Sequence, residues 1–376
     1  MYQHFEFSRV HRRRAPGLES TNKGTTSAMN LSVSPTLTEG SSTSLTSMAT
    51  PKSDIVRPGT ISNRTQPKST EYTAAWICAL PEEFAAAKGI LDEVFKNPKQ
   101  ERLDENVYVV GRMAHVKTVI VCLPYRCAGT TSATRVAEQM RQTFRTLQYT
   151  LLVGVAGGMP SAKADIRLGD VVVSVSLGES PAVVQYDYGK EITNGFIKIT
   201  SHLNRPPDGL LKGISLLEAR RLAPDSGETF PIESSIASLE RDSQESWSHP
   251  GSANDILFKS TYQHEDECSA CAKCDVNYLE HRPQRGSTQP EIHYGPIASA
   301  NRVMRDGICR ERVRQDTKAL CVEMEAAGLM DISPCLVIRG ICDYADSHKN
   351  KEWQRYAAAT AATYAKQLLS VMPEYS

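Results

Sequence analysis

Four short apolar runs, each of strand length, set the tightest limit on how this chain can fold. They are Thr73 to Leu80, Thr150 to Val155, Asp170 to Ser176 and Pro334 to Cys342. None sustains an apolar–polar alternation, so each suits a sheet covered on both faces rather than one open to water. Helical signals fall between them. Pro81 followed by Glu82 and Glu83 reads as the first turn of a helix through about Phe95, because proline and acidic side chains favour a helix start. Val107 to Val110 and Lys117 to Leu123 read as a pair of strands, and Gly129 opens a helix to about Leu147. A last helix, Glu352 to Val371, carries Tyr356, Ala357, Thr360, Tyr364 and Leu368 at helical spacing. Strands alternating with helices predict an α/β chain: a three-layer αβα domain with a central mixed sheet.

The pattern does not cover the whole chain. Residues 1 to 70 are rich in Ser, Thr, Pro and Arg and lack apolar periodicity, so a disordered tail is expected there. One domain is expected over 71–373, carrying an irregular insertion at 201–290 in which only Gly209 to Leu222 looks helical. Lysine plus arginine and aspartate plus glutamate both number 43, and a formally neutral chain lacks the electrostatic footprint of a general nucleic-acid binder. No apolar run approaches the roughly 20 residues that span a bilayer, so no membrane association is expected. The scattered cysteines, several within apolar runs (Cys78, Cys122, Cys335), read as reduced thiols of a cytoplasmic protein.

Four stretches carry chemistry. Leu80-Pro81-Glu82-Glu83 places carboxylates at a strand-to-helix turn, and Val153-Gly154-Val155-Ala156-Gly157-Gly158 ends a strand in glycines, where backbone can approach a ligand. Cys321-Val322-Glu323-Met324-Glu325-Ala326-Ala327 sets two carboxylates around a methionine, and Arg339-Gly340-Ile341-Cys342-Asp343-Tyr344-Ala345-Asp346 ends a strand in an aspartate. Ligands in open α/β sheets sit beyond the carboxyl ends of strands, where the first, second and fourth stretches fall. Each alone has a plainer reading: helix-start charges, a tight turn, solvated acids, a cap. Their combination and order carry the argument.

Ordered as LPEE, VGVAGG, VEMEAAG and RGICDYAD, these stretches resemble the nucleoside phosphorylase superfamily. The similarity is closest to its fungal nucleoside phosphorylase-like domains, with bacterial methylthioadenosine/adenosylhomocysteine nucleosidases as relatives. It covers about residues 72 to 372, apart from much of the insertion. The resemblance implies cleavage of the N-glycosidic bond of a purine nucleoside. It makes Asp343 the acid that protonates the departing purine and Glu325 the acceptor for the ribose hydroxyls. Met324 would lie along the sugar, and Gly157 and Val155 would line the substrate site. Glu83 falls where the nucleosidases keep the base that activates water. Leu152 and Val155 replace an arginine and a serine of the bacterial hexameric phosphorylases, which favours water over phosphate as nucleophile. The competing anion site is Arg126 with Thr130 and Thr131 at a helix start, for which N-capping is the plainer reading. Asn301 and Val303 are assigned to the base, in a segment without an aromatic; Tyr186 and Tyr188 are further candidates. No cofactor is required for this chemistry, and a homo-oligomer is expected from the relatives. Cys268, Cys271 and Cys274, with His264 and His281 nearby, have the look of a metal site away from the catalytic residues, but no metal is assigned.

Overall fold

Trp76 and Ile77 have no exposed surface, and neither does any other residue of the first strand, β1 (Ala74–Cys78), as the unbroken apolar run requires. The computed structural model describes residues 66–192, 196–199, 203–223, 231–241, 243–264 and 271–374. Residues 1–65, which make up nearly all of the expected tail, and Cys268 lie outside the described residues.

After β1 come α1 (Pro81–Gly89), β2 (Glu93–Phe95), β3 (Tyr108–Met113), β4 (Val116–Cys122), α2 (Thr130–Thr143) and β5 (Tyr149–Gly158). The helix expected to reach Phe95 stops at Gly89, and its last expected residues pair as β2 against β3. Glycine is a poor helix former, and the ladder satisfies backbone groups that a frayed helix end would leave open. Next are β6 (Val171–Ser174), β7 (Val183–Gln185), β8 (Gly189–Ile192) and β9 (Phe196–Ile199). The insertion holds α3 (Asp208–Leu222), as expected, and also α4 (Ile232–Glu240), too short for its pattern to register. Then follow β10 (Ile292–Gly295), β11 (Ile297–Ser299), α5 (Gly307–Thr317), β12 (Cys321–Glu323), β13 (Leu336–Asp343) and α6 (Gln354–Ser370).

The sheet runs β10-β6-β13-β5-β1-β4-β3-β2 and contains parallel and antiparallel pairs, so the expected mixed α/β architecture is what forms. Helix α6, almost wholly buried and rich in alanine, packs across β13 and β5 and is joined on that side by α1, α3 and α4. No helix among the described residues is long and apolar enough to cross a membrane.

Strand β5 positions the site. It does not stop before its glycines, as the sequence reading had it, but continues through Gly157 and Gly158, which pair antiparallel with Val322 and Cys321 of β12. One strand thus belongs to the main sheet along its length and to the β12–β11–β7 branch at its end. On the other edge β13 runs parallel to β5 with Arg339 opposite Gly154, and a register shift before Asp343 brings that residue opposite Gly157. A bulge of this kind re-aims a side chain at the sheet rim.

Candidate active site

Glu83 joins a helix start to a neighbouring strand. As the third residue of α1, its Oε2 accepts from the Ala79 and Leu80 backbone N–H groups at 2.7 and 3.0 Å, closing the helix start. Its Oε1 reaches across to β5 and accepts from Val155 N–H at 2.8 Å, with Arg339 Nη1 4.0 Å away. Gly154 makes room for this: a Cβ there would stand 2.3 Å from Glu83 Oε1 and 2.5 Å from Arg339 Nη1. Burial pushes the Glu83 carboxyl above its usual range, against the pull of Arg339 and the three backbone donors.

Arg339 is the residue the sequence reading passed over. It lies inside an apolar strand, has no exposed surface, and is the hub of the site. Its Nη2 contacts Glu323 Oε2 and lies 3.2 Å from Glu325 Oε2. A signal was available: an arginine in a strand buried on both faces must be paired, because an unpaired buried charge is prohibitively costly. Glu323 also accepts from the N–H groups of Glu325 and Ala326, which orients the turn after β12. Glu325, turned the other way, accepts from Gly129 N–H at 3.1 Å, at the N-terminus of α2. Burial, only partly offset by Arg339 and reinforced by Glu323 and Glu83, pushes Glu325 up to about 7. Met324 between them is half-buried.

Asp343 is buried at the end of β13. Its Oδ1 accepts from Ala345 N–H at 2.8 Å and its Oδ2 lies 2.9 Å from Lys349 Nζ. Burial works against the Lys349 ammonium, but Asp343 outweighs it and the Lys349 pKa is raised. A Cβ on Gly157 would come within 2.9 Å of Asp343 Oδ1, so only glycine lets β5 lie this close. Nothing in the sequence pattern singled out Lys349. Gly154 and Gly157, three residues apart and so about 10 Å along one strand, mark the Glu83–Arg339 end and the Asp343 end of the site.

The remaining expected residues divide. Val155 donates its N–H to Glu83, and Gly157 lies against Asp343. Asn301 lies over the α2 N-terminus: a Cβ on Gly129 would meet its Oδ1 at 2.0 Å. Its backbone N–H is held by Asp187 at 2.9 Å. Val303 is 57% exposed, and no contact places it with the carboxylates. Tyr188 is exposed, and Tyr186 is buried in a small second core with Met159, Ala298 and Val322, with the Arg302 guanidinium over its ring. Arg126 is exposed beside Tyr125, Thr131 is exposed, and the N-cap of α2 is Gly129, whose amide is committed to Glu325. A cavity of about 520 Å³ lies elsewhere, bounded by Asp170, His249, Arg285, Trp353 and Tyr356, and none of the carboxylates above lines it.

No protein-family model matches the chain. It is 41% identical over 303 residues to a nucleotide-binding leucine-rich repeat (NLR)-like protein of Hyaloscypha variabilis, a match covering 80% of this chain but 29% of that protein. The chain therefore spans less than a third of this relative's length. It is 24% identical over 307 residues to the 5'-methylthioadenosine/S-adenosylhomocysteine nucleosidase of Mycobacterium bovis, covering 80% of this chain and 97% of that protein. Among solved structures, the futalosine hydrolase of Helicobacter pylori superposes with a TM-score of 0.51 at 17% identity, covering 80% of this chain and 97% of that one. The α/β fold with its mixed sheet is thus shared with the futalosine hydrolase of Helicobacter pylori.

Proposed function

We propose that the chain hydrolyses the N-glycosidic bond of purine ribonucleosides, giving free base and ribose. The observation that carries this is that Glu83 and Glu325, from distant parts of the sequence, share the buried Arg339 beside β5, with Asp343 opposite Gly157 further along the same strand. The Mycobacterium bovis nucleosidase, which matches along nearly its whole length, supports the reading.

In this mechanism Asp343 delivers a proton to purine N7 while the C–N bond breaks and its electron pair leaves with the base. Glu325 accepts the ribose hydroxyls and stabilises the cationic sugar as it forms. Glu83 takes the proton of the water that attacks the anomeric carbon. Arg339 Nε, buried and without a hydrogen-bond partner, is a donor available to orient that water. Water is favoured over phosphate because three buried carboxylates surround Arg339, so that cation is already paired, and because the α2 amide already serves Glu325. A second copy of the chain closing the sugar pocket belongs to the same reading.

Incubation with adenosine, inosine or guanosine, with and without phosphate, tests it. Free ribose in phosphate-free buffer is expected; ribose 1-phosphate formed only with phosphate would make the chain a phosphorylase. Absence of base release from every nucleoside would favour a binding module, as its similarity to part of a longer NLR-like protein suggests.

Glu325→Ala should impair ribonucleosides far more than 2',3'-dideoxynucleosides, and equal loss on both removes the sugar role. In the wild-type chain kcat/KM should fall as pH drops below about 7, because Glu325 then becomes neutral and a weaker acceptor. That limb belongs to the coupled carboxylate cluster as a whole.

A further inference from the structure

Outside the carboxylate cluster, a second group of chemically capable side chains has formed. His264, Cys271 and Cys274 of the insertion meet His348, which follows Asp343 by five residues, with all four potential ligand atoms within 4.8 Å of one another. Both sulfurs, Cys271 Sγ and Cys274 Sγ, stand 3.6 Å from the same nitrogen, His348 Nδ1. Tetrahedral zinc, with Zn–S near 2.3 Å and Zn–N near 2.05 Å, requires an S···N edge of about 3.6 Å. The widest separation in the group has only to close by roughly 1 Å to complete the tetrahedron. The other ring nitrogen, His348 Nε2, lies 3.3 Å from the Tyr262 carbonyl. That contact fixes the tautomer that leaves Nδ1 free to bind a metal, as backbone carbonyls commonly do for ligand histidines. Phe258 stacks on the His348 ring at 4.0 Å, which holds its plane.

We propose that His264, Cys271, Cys274 and His348 bind one Zn²⁺, and that this ion ties the insertion to the loop carrying the candidate acid. Two sulfur and two nitrogen ligands suit zinc, and four protein ligands close the coordination sphere, so the role is structural. The spacing of cysteines alone could not identify this set, because its fourth member comes from the far side of the insertion. The tie runs through the backbone: His348 precedes Lys349, whose ammonium lies on Asp343, and His264 N–H donates to Ser347 Oγ at 2.8 Å. The same loop is gripped by the insertion's Arg282 at Tyr344 OH and by Arg310 at the Tyr344 carbonyl, each at 2.8 Å. The insertion is in this view the clamp of the loop 344–349.

Elemental analysis of the full chain, purified without chelator under reducing conditions and then given zinc and desalted, should find one zinc per chain. The Cys271→Ser, Cys274→Ser double variant and His348→Ala should each lose it. No zinc in the wild-type chain, or an intact mass lowered by two hydrogens as in a Cys271–Cys274 disulfide that persists under reduction, overturns the site. Zinc retained at full stoichiometry by both variants overturns the ligand set. Cobalt substitution should give the absorption of a tetrahedral two-thiolate centre. Removing zinc from the wild-type chain should speed hydrogen exchange at the amides of 345–349; unchanged exchange there overturns the clamp while leaving the metal site standing.

Discussion

Asp343→Asn should release purine at least ~10²-fold more slowly than the wild-type chain, the low end of what a positioned general acid contributes. Asparagine keeps the shape of the side chain. Its carbonyl oxygen can still accept from Ala345 N–H, the bond that holds the loop in the native chain at 2.8 Å. What it cannot do is transfer a proton, so the loss should fall on kcat with the melting temperature little changed. The Lys349 ion pair makes this test sharper. The Lys349 ammonium lies 2.9 Å from Oδ2, so N7 of the substrate must take its place before a proton can be shared. In the variant that displacement is easier while the chemistry is gone, so nucleoside binding should be retained or tightened. Wild-type turnover in Asp343→Asn would remove the acid assignment.

Arg339→Met should be the most destabilising single substitution in the site, costing on the order of 3–5 kcal/mol at neutral pH. Methionine fills similar volume but leaves Glu83, Glu323 and Glu325 buried with no cation among them. The pH dependence separates this cause from lost packing. Glu83 and Glu325 already sit above their ordinary range because burial outweighs Arg339, and removing the arginine raises them further. A carboxyl whose folded pKa lies above its unfolded value loses stability as pH rises through the interval between the two. For Glu325 that interval in the wild-type chain runs from the ordinary value near 4.5 up to about 7, and in the variant it extends higher. Denaturant midpoints of the variant should therefore approach those of the wild type at pH 5 and fall well short at pH 8. An equal deficit at both would assign the loss to packing.

Much of the fold was legible because burial on both faces leaves a strong mark. The strands that became β1, β5, β6 and β13 were visible as apolar runs. Three-residue strands such as β7, β11 and β12 left none, since so short a segment shows no period and exists only because a partner supplies its hydrogen bonds. In the candidate site, Glu83, Glu325 and Asp343 were read from motif order; Glu83 and Glu325 share Arg339, and Asp343 lies opposite Gly157 further along β5. Val303 and Arg126 are exposed, while Thr130 and Thr131 open α2 behind Gly129, whose amide serves Glu325. Val303 was assigned by alignment, and Arg126, Thr130 and Thr131 as an anion site at a helix start.

The sequence by itself determined which segments must be covered and which residues can transfer protons, because hydrophobicity and side-chain chemistry are local properties. It did not determine charge pairing. That Arg339 holds three carboxylates, that a bulge in β13 turns Asp343 against Gly157, and that His348 meets two cysteines more than 70 residues earlier depend on register and chain crossing. Only the tertiary structure decides these, because electrostatic and coordination energies act over a few ångströms of space whatever the separation along the chain.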